Sequence, residues 1–390
     1  MMVTALALFA LVSLQNQDVS VKFIDSGATA KVGGYRPMRA EMNGAPELVK
    51  KAPEGLAAPK YGTIKIEDKS WNFIVDEPEG KPAKLFVDTN GDGDLTNDPP
   101  AEWDAQKVGD LTMYKGTAKV DLGSGRIGSL GLYRFDPKDP QREMLKNTVL
   151  YFTDYGSEVT LNLDGKSFTS FVAGVFAPGM QLFIDRDGNG KRSVKLETAV
   201  VGKPFNFTGT TYLLGVKEGN LTLEKATETL PQAPLPPDLS IGKKALPFNS
   251  ATLDGSQIEF PKTYAGKIVL IDFWATWCGP CRAELPNVKA AYNALHEKGF
   301  EVLGISFDRE NMADKLKEFI GKEEMPWPQI YEGKYWDTTL GGMYDVSGIP
   351  FTLLVDGDSG EILGTSRELR GPGLTDFVQK ALDKKKEASK

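Results

Sequence analysis

The stretch Trp277-Cys278-Gly279-Pro280-Cys281 decides the fold of the C-terminal part of this chain and contains both of its cysteines. It follows an apolar run over 268–273, which is typical of a strand buried in a mainly parallel sheet. Apolar residues at helical spacing over 282–298 then predict a helix that ends before Gly299. We therefore expect the cysteines where a buried strand turns into a helix.

The position of Cys278 at the start of this helix favours a reactive thiol. Unpaired N–H groups and the positive end of the helix dipole stabilise a thiolate, which is the nucleophilic form. Gly279-Pro280 is expected to keep Cys281 close but less exposed, ready to resolve a mixed disulfide. A structural disulfide across two residues would add little stability, and a zinc site would need more ligands than the single histidine, His296, can supply. The spacing predicts a redox-active dithiol.

The rest of the C-terminal part alternates between strand and helix patterns. These patterns predict a strand over 300–307, a helix over 311–320, strands over 350–356 and 361–366, and a helix over 374–385. Alternation of this kind, ending in two hairpin strands, indicates a mixed α/β sheet with helices on both faces.

Residues 238–390 form the predicted C-terminal domain, and of these 238 to about 386 resemble the thioredoxin superfamily. The resemblance is closer to its exported thiol–disulfide oxidoreductases of the TlpA/ResA type. The motifs that carry the resemblance are 271–286 around the cysteines, Gly348-Ile349-Pro350 and the segment 299–306. The resemblance implies a thioredoxin-like fold in which the first cysteine attacks a substrate disulfide and the second resolves the intermediate. It says nothing about the first 230 residues.

Four further residues complete the predicted redox site. Asp272 lies on the buried strand, where burial without a positive partner would raise the pKa of its carboxyl group and suit it to accept the resolving thiol's proton. Thioredoxins have an aspartate there, whereas many exported relatives have a neutral residue. The resemblance implies a cis peptide bond at Pro350 and a functional role for Glu284, for which an ordinary solvated helix acid is the alternative. Trp277, directly before the attacking cysteine, is the fourth residue.

Residues 61–228 contain an internal repeat of β-rich units, with copies over about 61–122 and 158–218. The segment 63–93 aligns with 160–190 at a constant offset of 97. Alternating apolar residues between Gly, Asp and Asn predict a duplicated all-β domain, either a paired sandwich or a partly closed barrel in which one copy covers the other's edge. Before the repeat, residues 18–60 are predicted to be irregular except for one strand at 19–24. After it, residues 229–237 are predicted to form a stiff proline-rich linker.

Each repeat contains a loop that resembles the first half of an EF-hand calcium loop. Oxygen-bearing residues alternate around a glycine: Asp88, Asn90, Asp92 and Asp94 in the first copy, and Asp185, Asp187 and Asn189 in the second. The twelfth position is Pro99 or Leu196 rather than Glu, and each loop follows a strand. Two alternatives stay open: Ca²⁺ binding, with Asp98 or Glu102 completing the first shell, and a plain hairpin turn.

The charge pattern and the N-terminus limit the partners and the location. A net charge of −7 and a pI near 5.2 without a basic patch argue against nucleic-acid binding. The apolar run within residues 1–17 has the length of a signal peptide and is too short to span a membrane, and no later stretch is long enough. An extracytoplasmic location is predicted, with the cytoplasm as the alternative because no Lys or Arg precedes the run.

These features predict a thiol–disulfide oxidoreductase that reduces extracytoplasmic protein disulfides. Gly-Pro between the cysteines resembles the strongly reducing thioredoxins. The sequence has no flavin or nicotinamide motif, so no organic cofactor is expected and electrons must come from an upstream donor protein. One alternative is a peroxidase of the peroxiredoxin class, to which Thr276 would fit. Another is a binding protein whose β-module does the work, with an auxiliary redox domain.

Overall fold

The structure, a computed structural model, describes residues 18–99 and 101–388. The chain divides into two compact units, one formed by residues up to 190 with 198–233 and the other by 191–197 with residues from 234 onward. The predicted signal peptide, residues 1–17, lies outside the described residues. Within the described ranges, none of the helices is both long enough and apolar enough to cross a lipid bilayer.

The first unit is built mainly from β-strands, which confirms the predicted all-β architecture. Its first half contains β1 Val19–Ile24, helix α1 Ala28–Val32, β2 Met38–Glu41, β3 Pro59–Ile66, β4 Lys69–Asp76, β5 Lys84–Val87, β6 Asp104–Val108, β7 Leu111–Asp121, β8 Ile127–Arg134 and β9 Thr148–Thr153. Its second half contains β10 Gly156–Leu163, β11 Lys166–Ala173, β12 Gln181–Phe183, β13 Thr198–Val200, β14 Pro204–Phe205, β15 Tyr212–Lys217 and β16 Asn220–Lys225. The strand orders are β2-β9-β8-β7-β6, β3-β4-β5, β1-β10-β11, β12-β13 and β14-β15-β16.

The hairpins β3–β4 and β10–β11 lie 97 residues apart and have the same register. Ile66 pairs with Lys69 at the first turn, and Leu163 pairs with Lys166 at the second. The expectation that one copy covers the other's edge is wrong for β10, because β1 pairs with its residues 156–161 instead. The unpaired N–H and C=O groups of an edge strand need partners, and the N-terminal strand supplies them here.

The segments that flank the repeat contain more order than their composition indicates. Besides β1, residues 18–60 contribute helix α1 and strand β2, which pairs with β9. Strand β2 has four residues and buries only one of them, so its alternation is too short to read from sequence. In the proline-rich segment, Leu230 N donates to Thr211 Oγ1 and Ala233 N donates to the Asn206 carbonyl, so hydrogen bonds tie its beginning to the first unit.

The second unit contains a five-stranded mixed sheet. Its elements are β17 Phe248–Ala251, β18 Gln257–Phe260, β19 Ile268–Trp274, α2 Gly279–Leu295, β20 Phe300–Ser306, α3 Ala313–Lys322, β21 Gln329–Tyr331, α4 Thr339–Met343, β22 Phe351–Asp356, β23 Ile362–Thr365 and α5 Leu374–Ala388. The strand order is β21-β20-β19-β22-β23, in which β19 runs parallel to β20 and antiparallel to β22. The predicted mixed sheet is confirmed, and the short elements β21 and α4 are additions to it.

The central strand β19 positions the cysteines. Its side chains alternate between the two faces of the sheet. The Phe273 ring packs 5.5 Å from Tyr344 at the end of α4, whereas the Trp274 ring packs 5.6 Å from Phe319 of α3. Helices therefore cover both faces, as predicted. The chain leaves the carboxyl end of β19, turns over residues 275–278 and enters α2.

Candidate active site

Cys278 and Cys281 form a disulfide at the N-terminus of α2, with Cα atoms 5.3 Å apart. Cys278 is the N-cap residue of the helix, and its sulfur accepts a hydrogen bond from the Cys281 backbone N–H at 3.2 Å. In the reduced state the same N–H would stabilise a thiolate at Cys278, together with the positive end of the helix dipole. The geometry thus distinguishes Cys278 from Cys281 as the better nucleophile.

Solvent exposure does not distinguish the two cysteines in this oxidised form. Cys278 is 4% exposed and Cys281 is 7% exposed, so the expectation that Cys281 is the less exposed one is wrong here. The reason is that Cys278 is covered by the loop before β22, where its sulfur lies 3.8 Å from the carbonyl oxygen of Ile349. The helix terminus, and not exposure, is therefore the feature that distinguishes the two cysteines.

The Ile349–Pro350 peptide bond is cis, as the resemblance implies. It places the backbone of this loop directly beside Cys278. Arg370, which no sequence motif singles out, donates from Nη2 to the Pro350 carbonyl oxygen at 2.7 Å. The backbone of the loop is thus held in place by a side chain from 20 residues further along the chain.

Asp272 lies in the middle of β19, between Gly304 of β20 and Thr352 of β22. The pKa of its carboxyl group is raised to about 7, chiefly by burial and also by the nearby negative charge of Glu284, while the guanidinium of Arg370 partly offsets both effects. The expected raised pKa is therefore found, but the expected absence of a positive partner is wrong. A carboxyl group with a pKa near neutrality can both accept and release a proton at physiological pH.

Glu284 is a half-buried residue with fixed partners rather than a freely solvated helix acid. Its Oε2 accepts hydrogen bonds from the Gly371 backbone N–H at 2.8 Å and from Asn287 Nδ2 at 3.0 Å. Since Arg370 binds the cis-proline loop, the dipeptide 370–371 links that loop to helix α2. These contacts join residues 20 and 87 positions apart, and a local sequence pattern contains no signal for them.

Trp277 is 44% exposed and lies against a group of aromatic residues. Its ring is 5.2 Å from that of Tyr335 and 6.0 Å from that of Trp336. Tyr335 and Trp336 belong to the short helix that precedes α4. With Arg309 and Met312, Trp277 and Tyr335 line a cavity of about 370 Å³. An exposed apolar surface next to a reactive disulfide is suited to hold the apolar side chains of a substrate chain.

Thr276 and Asp308 fix the turn that leads to the cysteines. The Thr276 hydroxyl donates to Asp308 Oδ1 at 2.6 Å, and the Thr276 N–H donates to Asp308 Oδ2 at 3.2 Å. Asp308 is fully buried and also accepts from Ser306 Oγ. Sequence reasoning missed Asp308, because its partner Thr276 lies 32 residues away in the chain.

The first Asp/Asn/Gly loop, in the first unit, encloses the Asp88 carboxylate. Asp88 is 2% exposed, and its Oδ2 accepts from the Gly93 N–H at 3.0 Å. Asn90 Oδ1 accepts from Asp92 N, and Asp92 Oδ1 accepts from Asp94 N, each in a tight local turn. The first aspartate of this loop is therefore buried, whereas Asn90, Asp92 and Asp94 form local turns.

The corresponding loop of the second copy is more open. Asp185 and Asp187 are both exposed, and their carboxylate oxygens approach within 4.8 Å of each other. Asp185 accepts hydrogen bonds from Asn189 N at 3.1 Å and from Gly190 N at 2.9 Å, one on each oxygen. The two loops thus differ in the burial and in the hydrogen bonding of their first aspartate.

Comparison with known proteins places the second unit in a family. The AhpC/TSA family model matches residues 241–363. Thiol-disulfide oxidoreductase ResA of Bacillus cereus is 31% identical over 142 residues, which cover 36% of this chain and 79% of ResA. Thiol:disulfide interchange protein HelX of Rhodobacter capsulatus is 33% identical over 118 residues, which cover 30% of this chain and 60% of HelX.

One of the similar solved structures comes from Bacteroides vulgatus. The thioredoxin domain of a thiol-disulfide oxidoreductase from Bacteroides vulgatus is 31% identical, covers 37% of this chain and 98% of its own, and has a TM-score of 0.33. The predicted thioredoxin-like fold of the C-terminal part is confirmed by the family match. The chain therefore belongs to the ResA family of thioredoxin-like thiol–disulfide oxidoreductases.

Proposed function

We propose that this protein reduces disulfides of extracytoplasmic proteins through Cys278 and Cys281. The observation that carries the proposal is the position of Cys278 as N-cap of α2, with its sulfur on the Cys281 N–H and beside the cis-Pro350 loop. Gly279-Pro280 between the cysteines supports the reducing direction, as in the thioredoxins that this motif resembles.

In the proposed reaction, the Cys278 thiolate attacks one sulfur of a substrate disulfide. A Cys278–substrate disulfide forms, the substrate S–S bond breaks, and the second substrate sulfur leaves as a thiolate that takes up a proton. Cys281 then gives its proton to Asp272 and attacks the Cys278 sulfur, which releases the first substrate sulfur. Two electrons have passed to the substrate, and the disulfide seen in the structure is the product.

Asp272, Glu284 and Trp277 have distinct proposed roles. Asp272, with a pKa near 7, accepts the proton of the resolving thiol and returns it to solvent. Glu284 holds residue Gly371 and raises the pKa of Asp272 through its charge. Trp277 offers an exposed apolar surface to the substrate chain.

The reduced dithiol must be regenerated by an upstream electron-donor protein, because two electrons leave with each substrate. The apolar run of residues 1–17 supports export, with the cytoplasm as the alternative. We also propose that the Asp/Asn/Gly loops of the first unit bind Ca²⁺. The thiol–disulfide exchange uses no ion, so this proposal and the redox proposal can fail independently.

Substitution of Cys281 by serine tests the proposed order of attack. Without the resolving thiol, Cys278 should remain bound to its target as a mixed disulfide, visible as a higher-mass band that a reductant removes. Cys278→Ser is the matched control and should trap little, because Cys281 does not cap the helix. Mass spectrometry of the trapped band would identify the substrate protein. Equal trapping by both variants would contradict the assignment of attacking and resolving cysteines.

A peroxidase is the second candidate, supported by Thr276 two residues before Cys278. The Thr276 hydroxyl, however, donates to Asp308, and Cys278 is already paired with Cys281. We expect the reduced protein to consume hydrogen peroxide far more slowly than it reduces insulin disulfides. Faster turnover of peroxide than of insulin would favour the peroxidase.

A further inference from the structure

Two carboxylates of the first Asp/Asn/Gly loop each have one buried oxygen that makes no hydrogen bond among the described residues. Asp88 Oδ1 is one, although Oδ2 of the same group accepts from Gly93 N. Asp98 Oδ2 is the other, although its Oδ1 accepts from the Thr89 N–H and hydroxyl. Buried anionic oxygens without partners are unfavourable and rare, so each needs a physical explanation.

These carboxylates also face each other's charge. Asp88 is buried, and the negative charges of Asp98 and Asp92 both act on its carboxylate. A buried carboxylate with negative neighbours is unfavourable as an anion unless a positive charge lies close to it. A cation bound between these carboxylates would offset their repulsion and would also give the two unpaired oxygens a partner.

In the part of the chain that the structure describes, lysine side chains do not supply that charge to the unpaired oxygens. Lys51 Nζ pairs with Asp94 Oδ2 at 3.3 Å, and Lys50 Nζ donates to the Asp92 carbonyl oxygen at 2.5 Å. Asp94 is further occupied by Thr96, whose N–H and hydroxyl donate to its Oδ1. Asp94 is therefore the least suitable of the predicted ligands.

The structure also decides between the two acids that could complete the site. Glu102 Oε2 accepts a hydrogen bond from the Thr117 hydroxyl at 2.7 Å, on the exposed side of strand β7. Asp98 instead is held by Thr89, the residue next to Asp88, and its charge acts on Asp88. Asp98 stands one position before the place where an EF-hand loop has its bidentate glutamate.

We propose that loop 88–98 is a Ca²⁺ site in which Asp88 and Asp98 are the principal ligands, since Asp92, like Asp94, already accepts hydrogen bonds on both of its carboxylate oxygens. Ca²⁺ accepts six to eight oxygen ligands in irregular geometry, whereas Mg²⁺ requires a near-ideal octahedron, so an irregular loop favours Ca²⁺. The second loop is the weaker site, because both oxygens of Asp185 already accept backbone hydrogen bonds.

Calorimetric titration of the full chain with CaCl₂, after chelator treatment, tests the proposal. We expect one main site with a Kd of about 10⁻⁴ to 10⁻³ M, the range of extracellular calcium modules. Asp88→Asn and Asp98→Asn should each weaken binding at least about tenfold, since each removes a charged ligand. Asp185→Asn is the matched control, because it changes the equivalent aspartate 97 residues later, and it should leave the main site unchanged.

Thermal melts separate loss of the site from loss of the fold. Wild-type protein should melt higher in CaCl₂ than in chelator, because an ion that binds only the folded state stabilises it. Asp88→Asn should melt no lower than wild type in chelator but should lose the shift with CaCl₂. No binding heat and no shift for wild type, or unchanged binding by Asp98→Asn, would overturn the proposal. So would loss of the main site in Asp185→Asn. Insulin reduction by wild type in chelator reports on the redox function separately.

Discussion

Replacing Asp272 with asparagine should stabilise the oxidised protein, and the gain should increase as the pH rises. The carboxyl group has an ordinary pKa of 3.8 in the unfolded chain and a pKa of about 7 in the folded one. The folded state therefore keeps the proton between these values while the unfolded state loses it. Stability linked to this group is greatest below pH 3.8, falls as the pH rises, and is fully lost above pH 7.

The size of the effect follows from the two pKa values. Each tenfold change in proton affinity corresponds to ~1.4 kcal/mol, so ionised Asp272 destabilises the folded state by about 4 kcal/mol above neutral pH. Asparagine has nearly the same size and no charge. The variant should therefore exceed wild type by less than about 1 kcal/mol at pH 4 and by about 4 kcal/mol at pH 8.

Urea titrations of the oxidised full chain between pH 4 and 8 measure this difference. The buried residues Trp274 and Trp327 report unfolding of the second unit, and the disulfide removes any thiol titration. Asp356→Asn is a control of opposite sign. The pKa of Asp356 is lowered overall, because hydrogen bonds from Lys385 and Ser359 outweigh the opposite effect of burial. The Asp356→Asn variant should therefore lose stability, and by the same amount from pH 5 to 8. A pH-independent difference for Asp272→Asn would refute the raised pKa.

Two more predictions concern the same site. Arg370→Gln removes a charge that lowers the pKa of Asp272, so the pH at which Asp272→Asn reaches its full gain in stability should be higher in the Arg370→Gln background. The neighbouring surface change Arg367→Gln is the control and should leave that pH unchanged. If the pH stayed the same in both backgrounds, Arg370 would be excluded as a positioning residue. The Cys278/Cys281 pair should have a reduction potential near thioredoxin's value of about −270 mV in a glutathione or dithiothreitol redox titration, and a value above about −180 mV would indicate an oxidant or isomerase instead.

The sequence was sufficient for the redox centre, because its signals are local. A buried strand, two cysteines two residues apart and a helix follow one another within 268–295, so periodicity and spacing alone predict their arrangement. The same holds for the β-hairpins of the first unit, where turn residues and alternation mark both copies. Elements of three to five residues, such as β21 and α4, contain too few periods to be recognised.

The contacts around the charged side chains could be learned only from the tertiary structure. Arg370 acts on Asp272 across 98 residues of chain, and Asp308 holds Thr276 from 32 residues away, so no spacing rule could reveal either contact. The two Asp/Asn/Gly loops look alike in sequence, yet one aspartate is buried with an unpaired oxygen and the other is exposed and satisfied. Burial and unpaired hydrogen-bonding groups depend on what packs around a residue, which is why the amino-acid order left them open.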